Sequence, residues 1–244
     1  MAKRFFSLAL VVAVAAAFFP LLAAIEERHQ VAPLAHTYLS EGPDTLGAAN
    51  LVTSVIVTYR GLDTLGEVTV LFAASTGVAL VFGSLRKHPG SDAEVTGDTA
   101  AARRRRRQPP SELVQTGSGI LIPLMIVFGV FIFTHGHLTP GGGFQGGVIV
   151  AAAVLLAFLA GTVRELAHGV FSLLEMLSGA GYVAIGLLGL WLAAGFLDPR
   201  FLPAGSFGSL FSAGAIPIIY SLVGVKVGAE LSSVVDAMRQ GSNG

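Results

Sequence analysis

Apolar residues run in long blocks with short polar punctuation, and the block lengths predict membrane helices. A helix needs roughly 20 apolar residues to cross about 30 Å of hydrocarbon. Phe5–Ile25 meets that length behind Lys3 and Arg4, with Pro20 expected to break it late. A signal peptide shares the basic start, the apolar run and small residues such as Ala23 and Ala24; the length of this run favours a retained helix. Residues 26–46 read as a polar connection. Gly47–Tyr59 is apolar but only 13 residues long, too short for an ordinary crossing. Arg60-Gly61 interrupts it, and a second stretch runs from about Leu62 to Leu85. Residues 47–85 therefore read as a helical segment broken near Gly61, because glycine interrupts a helix cheaply. Further spans fall at about Ser118–Thr134, Phe144–Val163, Ser172–Phe196 and Phe207–Val227, the last with a kink expected at Pro217. The fold class is all-α, a polytopic transmembrane bundle of about six to seven helices.

Composition agrees with this pattern. Apolar residues make up 53% of the 244 and charged residues 12%, about half the charged share of soluble domains. Fifteen basic residues balance 15 acidic ones, so no global field favours nucleic acid. The chain has no cysteine, which excludes disulfides, thiolate metal sites and cysteine-ligated clusters. No cofactor is expected, and any redox centre of a parent machine lies in partners. Arg103–Arg107 repel one another and stay solvated, marking the cytoplasmic side beside membrane segments. Anionic lipid heads are a secondary partner for that run. With Lys3, Arg4, Arg86, Lys87 and Arg164 also inside, both termini are expected to be cytoplasmic in a cell membrane.

Three groups of polar residues interrupt the apolar blocks. In the first, Arg60, Asp63 and Glu67 fall within a narrow helical arc, beside Thr64. Arg60 can pair with Asp63, leaving Glu67 deeper, either to take a proton or cation or to face headgroups at the interface. The second is His135-Gly136-His137-Leu138-Thr139-Pro140-Gly141-Gly142-Gly143-Phe144-Gln145-Gly146-Gly147. Three glycines after proline cannot form a regular helix, so the segment faces water, protein or a cavity. A tight outer hairpin is the leading reading, and Gly146 and Gly147 permit close helix packing. His135 and His137 are a weak metal signal without further ligands nearby, and no metal site is assigned. The third is Lys226 with Glu230, four apart on one face: an intramembrane pair, or Lys226 snorkelling to the inner interface. No catalytic arrangement stands out, and the chain reads as a component of a transport complex rather than an enzyme.

The GHLTPGGGFQGG stretch and the four spans around it, about residues 112–240, resemble the MnhB component of the Mrp-type (Mnh) Na+/H+ antiporters. Residues 1–88, through RG-x-DTLGE, are similar to the MbhE component of membrane-bound hydrogenases, a module that also ends the large MnhA component of the antiporters. The resemblance implies two membrane modules fused through an Arg-rich cytoplasmic linker at 89–111. It implies a subunit without independent activity in a large assembly related to the membrane arm of respiratory complex I, with Na+, H+ and other subunits as partners. It carries an ion-path role to Glu67, with Asp63, Arg60 and Thr64 supporting it. It carries the MnhB motif to His135, His137, Pro140, Gly141, Gly142, Gly143, Phe144 and Gln145. The chain departs from the MnhA pattern in lacking its large proton-pumping portion. The expected function is a non-catalytic subunit of a Na+/H+ antiporter. The alternatives are the membrane arm of a hydrogenase or related ferredoxin-linked oxidoreductase, and a lipid-binding scaffold.

Overall fold

A computed structural model describes residues 2–23, 31–86, 110–163 and 165–241. The arginine run, most of the linker, Arg164 and the end of the first expected span lie outside the described residues. Among those described, helices are the regular structure. They are α1 (Ala2–Ala23), α2 (Pro33–Leu46), α3 (Leu51–Ser54), a π turn (Val55–Tyr59) and α4 (Gly61–Arg86). After the linker come α5 (Glu112–Thr134), α6 (Gly143–Leu159), α7 (His168–Leu192), a 3-10 turn (Pro199–Phe201) and α8 (Ile216–Gly241). Among the described residues, four helices are long and apolar enough to cross a membrane: those at 61–82, 112–134, 168–192 and 216–240. Phe5–Pro20 and Gly143–Leu159 are shorter apolar helices.

Residues 1–37 and 38–244 form two compact units. In the first, α1 runs on through Pro20 rather than breaking there. In the second, α8 is the central helix, with 56% of its membrane-length window buried against 6% for α4. Its Ile216, Ile219, Tyr220, Val223 and Val227 make the spine of the core. Small residues let α6 lie directly on it. A Cβ on Gly147 would stand 2.7 Å from the Gly224 carbonyl oxygen, and one on Gly143 would stand 2.7 Å from Val223 Cβ. On the other side, a Cβ on Gly146 would stand 2.9 Å from Phe133 Cβ on α5. In lipid, where water drives no burial between helices, close backbone approach of this kind is what holds them together.

Three expectations are corrected. The polar connection at 26–46 contains a 14-residue helix, α2. The last span begins at Ile216 rather than Phe207, because Phe207–Ala215 is a folded loop whose Ser212, Ala213 and Ala215 are buried. Pro217 therefore sits in the first turn of α8, where its missing N–H has no helical partner to lose, and it makes no kink there.

The break near Gly61 is present, and its cause is local. Asn50 caps α3, its side chain accepting from the amides of Val52 and Thr53. The turn then widens, with the Arg60 amide reaching back five residues to the Val55 carbonyl at 2.8 Å. Arg60 leaves helical geometry at φ −122 and ψ 33, and α4 starts afresh. Buried polar groups satisfy the interrupted backbone: Thr64 Oγ1 donates to the Ile56 carbonyl at 2.9 Å, and Tyr182 Oη donates to that of Gly61 at 3.1 Å. Glycine at 61 lets Leu197 pack close, since a Cβ there would lie 2.7 Å from Leu197 Cδ1 and 3.2 Å from its Cβ.

Candidate functional site

The first two polar groups of the sequence meet at one place. Thr64 and Glu67 from α4 and Gly141, Gly143, Phe144 and Gln145 from the glycine loop line a common cavity of about 230 Å³. Ile56 and Val57 of the π turn and Tyr220 and Val223 of α8 complete it. Glu67 and Gln145 are exposed in this chain and Thr64 is buried. The cavity thus has a carboxylate at its rim, an amide opposite and an apolar floor. Gly141 adopts φ +143, a region that favours glycine, and so lets the loop turn into α6.

The loop is held by residues that sequence reasoning missed. Asn50 Nδ2 donates to the carbonyls of Gly136 at 2.8 Å and Thr139 at 3.0 Å, while the Asn50 amide donates to that of His137 at 3.0 Å. Thr53 Oγ1 adds a bond of 2.5 Å to the Gly136 carbonyl. A signal was present in the sequence: Asn50 precedes an apolar run, as helix caps do. Its second task, tying down carbonyls 86 and 89 residues away, is a tertiary fact.

His137 and His135 diverge. His137 is fully buried, with Nε2 3.3 Å from the Ser209 carbonyl oxygen. Burial pushes its pKa below the ordinary value, against the opposing pull of that carbonyl. His135 stacks on Phe131 with ring centres 4.1 Å apart. Pro140 is exposed at the loop tip and Gly142 is buried against Tyr220.

Arg60 reaches Asp63 from the break rather than from within the helix, with Nε 2.6 Å from Oδ2. Both side chains are more than half exposed, so the pair contributes little stability. Lys226 lies mid-helix, nearly buried, with Nζ 2.6 Å from Oε1 of a fully buried Glu230, so the two side chains do pair. Lys226 also lines a cavity to which α4 and α7 contribute. Two further clusters were not singled out by sequence. Asp236, fully buried, accepts from Arg239 at 3.0 Å and Gln240 at 2.6 Å, and faces His168 at 3.3 Å. Asp198 caps the 3-10 turn and pairs with Arg200, whose guanidinium holds the carboxyl below its usual range.

These features define a multi-pass, all-α membrane protein in which Asn50 and Thr53 tie the glycine loop to α3 by hydrogen bonds. Residues 113–233 match the domain related to the MnhB subunit of Na+/H+ antiporters, and residues 2–100 match the MbhE component of membrane-bound hydrogenase. An uncharacterized protein of Methanocaldococcus jannaschii is 32% identical over 228 residues, covering 82% of each chain. A chain of the membrane-bound sulfane sulfur reductase, an archaeal respiratory membrane complex, is 40% identical with a TM-score of 0.73 over 98% of both chains. A chain of the Mrp complex from Dietzia sp. DQ12-45-1b shares the fold at 24% identity and a TM-score of 0.71. That match covers 97% of this chain and 26% of that one. The chain belongs to the family that fuses the MbhE module to the MnhB-related domain. It is a membrane subunit of an antiporter-like complex.

Proposed function

We propose that this chain forms part of the path by which a monovalent cation is exchanged for protons, with Glu67 as the carboxylate that takes H+ or Na+ alternately. The observation that carries this reading is the shared cavity, which Glu67 and Thr64 line together with Gly141, Gly143, Phe144 and Gln145. An ionisable group at membrane depth is costly unless it is neutralised, and a proton or a cation can each do so. The Gln145 amide oxygen, the Thr64 hydroxyl region and the loop carbonyls are oxygen donors of the hard type that Na+ prefers. Asp63 and Arg60 supply polarity at the mouth. The chain itself performs no redox step, and its termini lie on the cytoplasmic side.

The test is Glu67→Gln in the assembled complex, assayed for Na+-dependent proton movement in membrane vesicles. Antiport is expected to be lost while the partners still co-purify. Normal antiport with the glutamine refutes the ion-path role and restores the scaffold reading.

A second reading concerns what drives the exchange. The likeness to a chain of a respiratory complex, 40% identical over 98% of both chains, favours a redox-driven parent. Gentle extraction of the tagged chain followed by mass spectrometry separates the two. Cluster-binding partners indicate redox-driven pumping, and antiporter-type partners alone indicate an antiporter powered by the ion gradients.

A further inference from the structure

A second cavity, of about 540 Å³, opens between α4 and α7 on the side of α8 that carries the buried ion pair. Glu175 lines its wall and Lys226 its floor. Lys226 Nζ lies 5.3 Å from the Phe72 ring centre, and a Cβ on Gly179 would stand 3.7 Å from it. The ammonium is therefore confined by α4, α7 and its own helix. It donates to Glu230 Oε1 at 2.6 Å. Oε2 of the same carboxylate is buried and has no hydrogen-bond partner among the described residues. Glu175 lies within electrostatic reach of Glu230.

The charge count decides the chemistry. Two carboxylates face one ammonium, which leaves one negative charge uncompensated. Of the other elements packed here, α4 brings Thr69 and Phe72 to the cavity but no charged side chain, α7 adds Tyr182 as its other titratable group there, and α6 has no ionisable residue. The uncompensated charge falls on Glu175, half-buried on the cavity wall; at membrane depth an unneutralised carboxylate costs several kcal/mol. The cavity has room for on the order of ten waters, so a small ion can enter it beside Glu175 and Lys226, which line it; Glu230 is fully buried beyond that lining.

We propose that Glu175, Lys226 and Glu230 form a second cation site that holds one monovalent cation, a proton or Na+, between the two carboxylates. The orphaned Oε2 of Glu230 is its first donor. The site is separate from the Glu67 cavity and does not depend on the role given to Glu67. Exchange is one for one: a proton leaves a carboxyl as Na+ enters, and the charge is unchanged.

The test is infrared difference spectroscopy of the assembled complex at neutral pH, wild type minus Glu230→Gln and wild type minus Glu175→Gln. Either glutamine balances the ammonium with the remaining carboxylate, so the bound cation is lost. In Na+-free choline buffer, wild type is expected to show one protonated-carboxyl band that both variants lack. Its persistence at saturating Na+ identifies the cation as a proton only. Its disappearance on adding Na+ identifies exchange. Absence of that band, together with equal Na+ binding by wild type and both variants, overturns the proposal. Co-purification of partners checks that each variant assembles, and Glu175→Gln, on the cavity wall, guards against misfolding of the fully buried Glu230 variant. A Glu67→Gln complex that loses transport yet keeps the band separates this site from the Glu67 reading.

Discussion

Replacing Gly147 with alanine tests the packing argument quantitatively. The added Cβ would stand 2.7 Å from both the Gly224 carbonyl oxygen and Val227 Cβ, where ordinary contact begins at 3.4 Å. The oxygen is backbone on the central helix and cannot rotate away, so α6 and α8 must separate by about 0.7 Å locally, the difference between those distances. Overpacking of this kind costs about 1–3 kcal/mol. That is about a 5- to 150-fold loss in the folded-to-unfolded ratio, at about 1.4 kcal/mol per tenfold. The assay is thermal or SDS-induced unfolding of the assembled complex, followed through this protein. Gly66→Ala is the control, since nothing lies within 4 Å of its added Cβ and α4 gains helix propensity. The expected order is a clear destabilisation for Gly147→Ala and no loss for Gly66→Ala. Equal stability of the two variants would sink the claim that backbone contact holds α6 on α8.

Asn50→Ala removes a helix cap and leaves the Gly136 and Thr139 carbonyls short of a donor, a loss of about 2 kcal/mol on the usual scale for a cap and an unmet acceptor. Hydrogen exchange at 135–142 should accelerate by about tenfold or more; unchanged protection would mean that Thr53 suffices alone. His137 gives a pH dependence whose sign follows from its burial. Its folded pKa is lowered from 6.5, so the unfolded loop binds protons more readily than the folded one. Its contribution is fully present above about pH 6.5 and is lost as pH falls below that value. Loop protection factors, corrected for the intrinsic slowing of exchange at lower pH, should therefore fall on acidification in wild type and less so in His137→Asn; identical pH profiles would count against the buried imidazole as the cause.

The parts of this fold legible in the sequence are those with a local cause. The break at Arg60-Gly61 could be read because an apolar run stopped short and resumed, and the structure adds only that a π turn does the widening. The small-residue face of α6 could be read for the same reason. Phe207–Ala215 misled because its apolar side chains sit on a loop: Phe207, Leu210 and Phe211 are exposed, while Ser212, Ala213 and Ala215 are covered and Ala213 turns the chain at φ +65. Hydropathy records apolar side chains and does not say whether a helix or a loop carries them. The 26–46 segment misled in the opposite sense, since a polar helix leaves no apolar block. Of the candidate site, each motif was visible on its own. Their meeting was not, because it depends on Asn50 and Thr53 gripping a loop more than 80 residues away. The charge balance around Lys226 was equally hidden, since Glu175 reaches it from another helix.

The bare flank of α4 has a thermodynamic consequence. Only 6% of its membrane-length window is buried by this chain, and Glu67 lies exposed upon it. The medium around that carboxylate is therefore chosen by whatever molecule lies alongside. A neighbour that strengthens ion binding at Glu67 must itself be held more firmly once the ion is bound, and by the same factor, because coupled binding equilibria are reciprocal. Association with partners and ion occupancy then become two readings of one free energy, and the salt in which such an assembly is purified is also a determinant of whether it stays together.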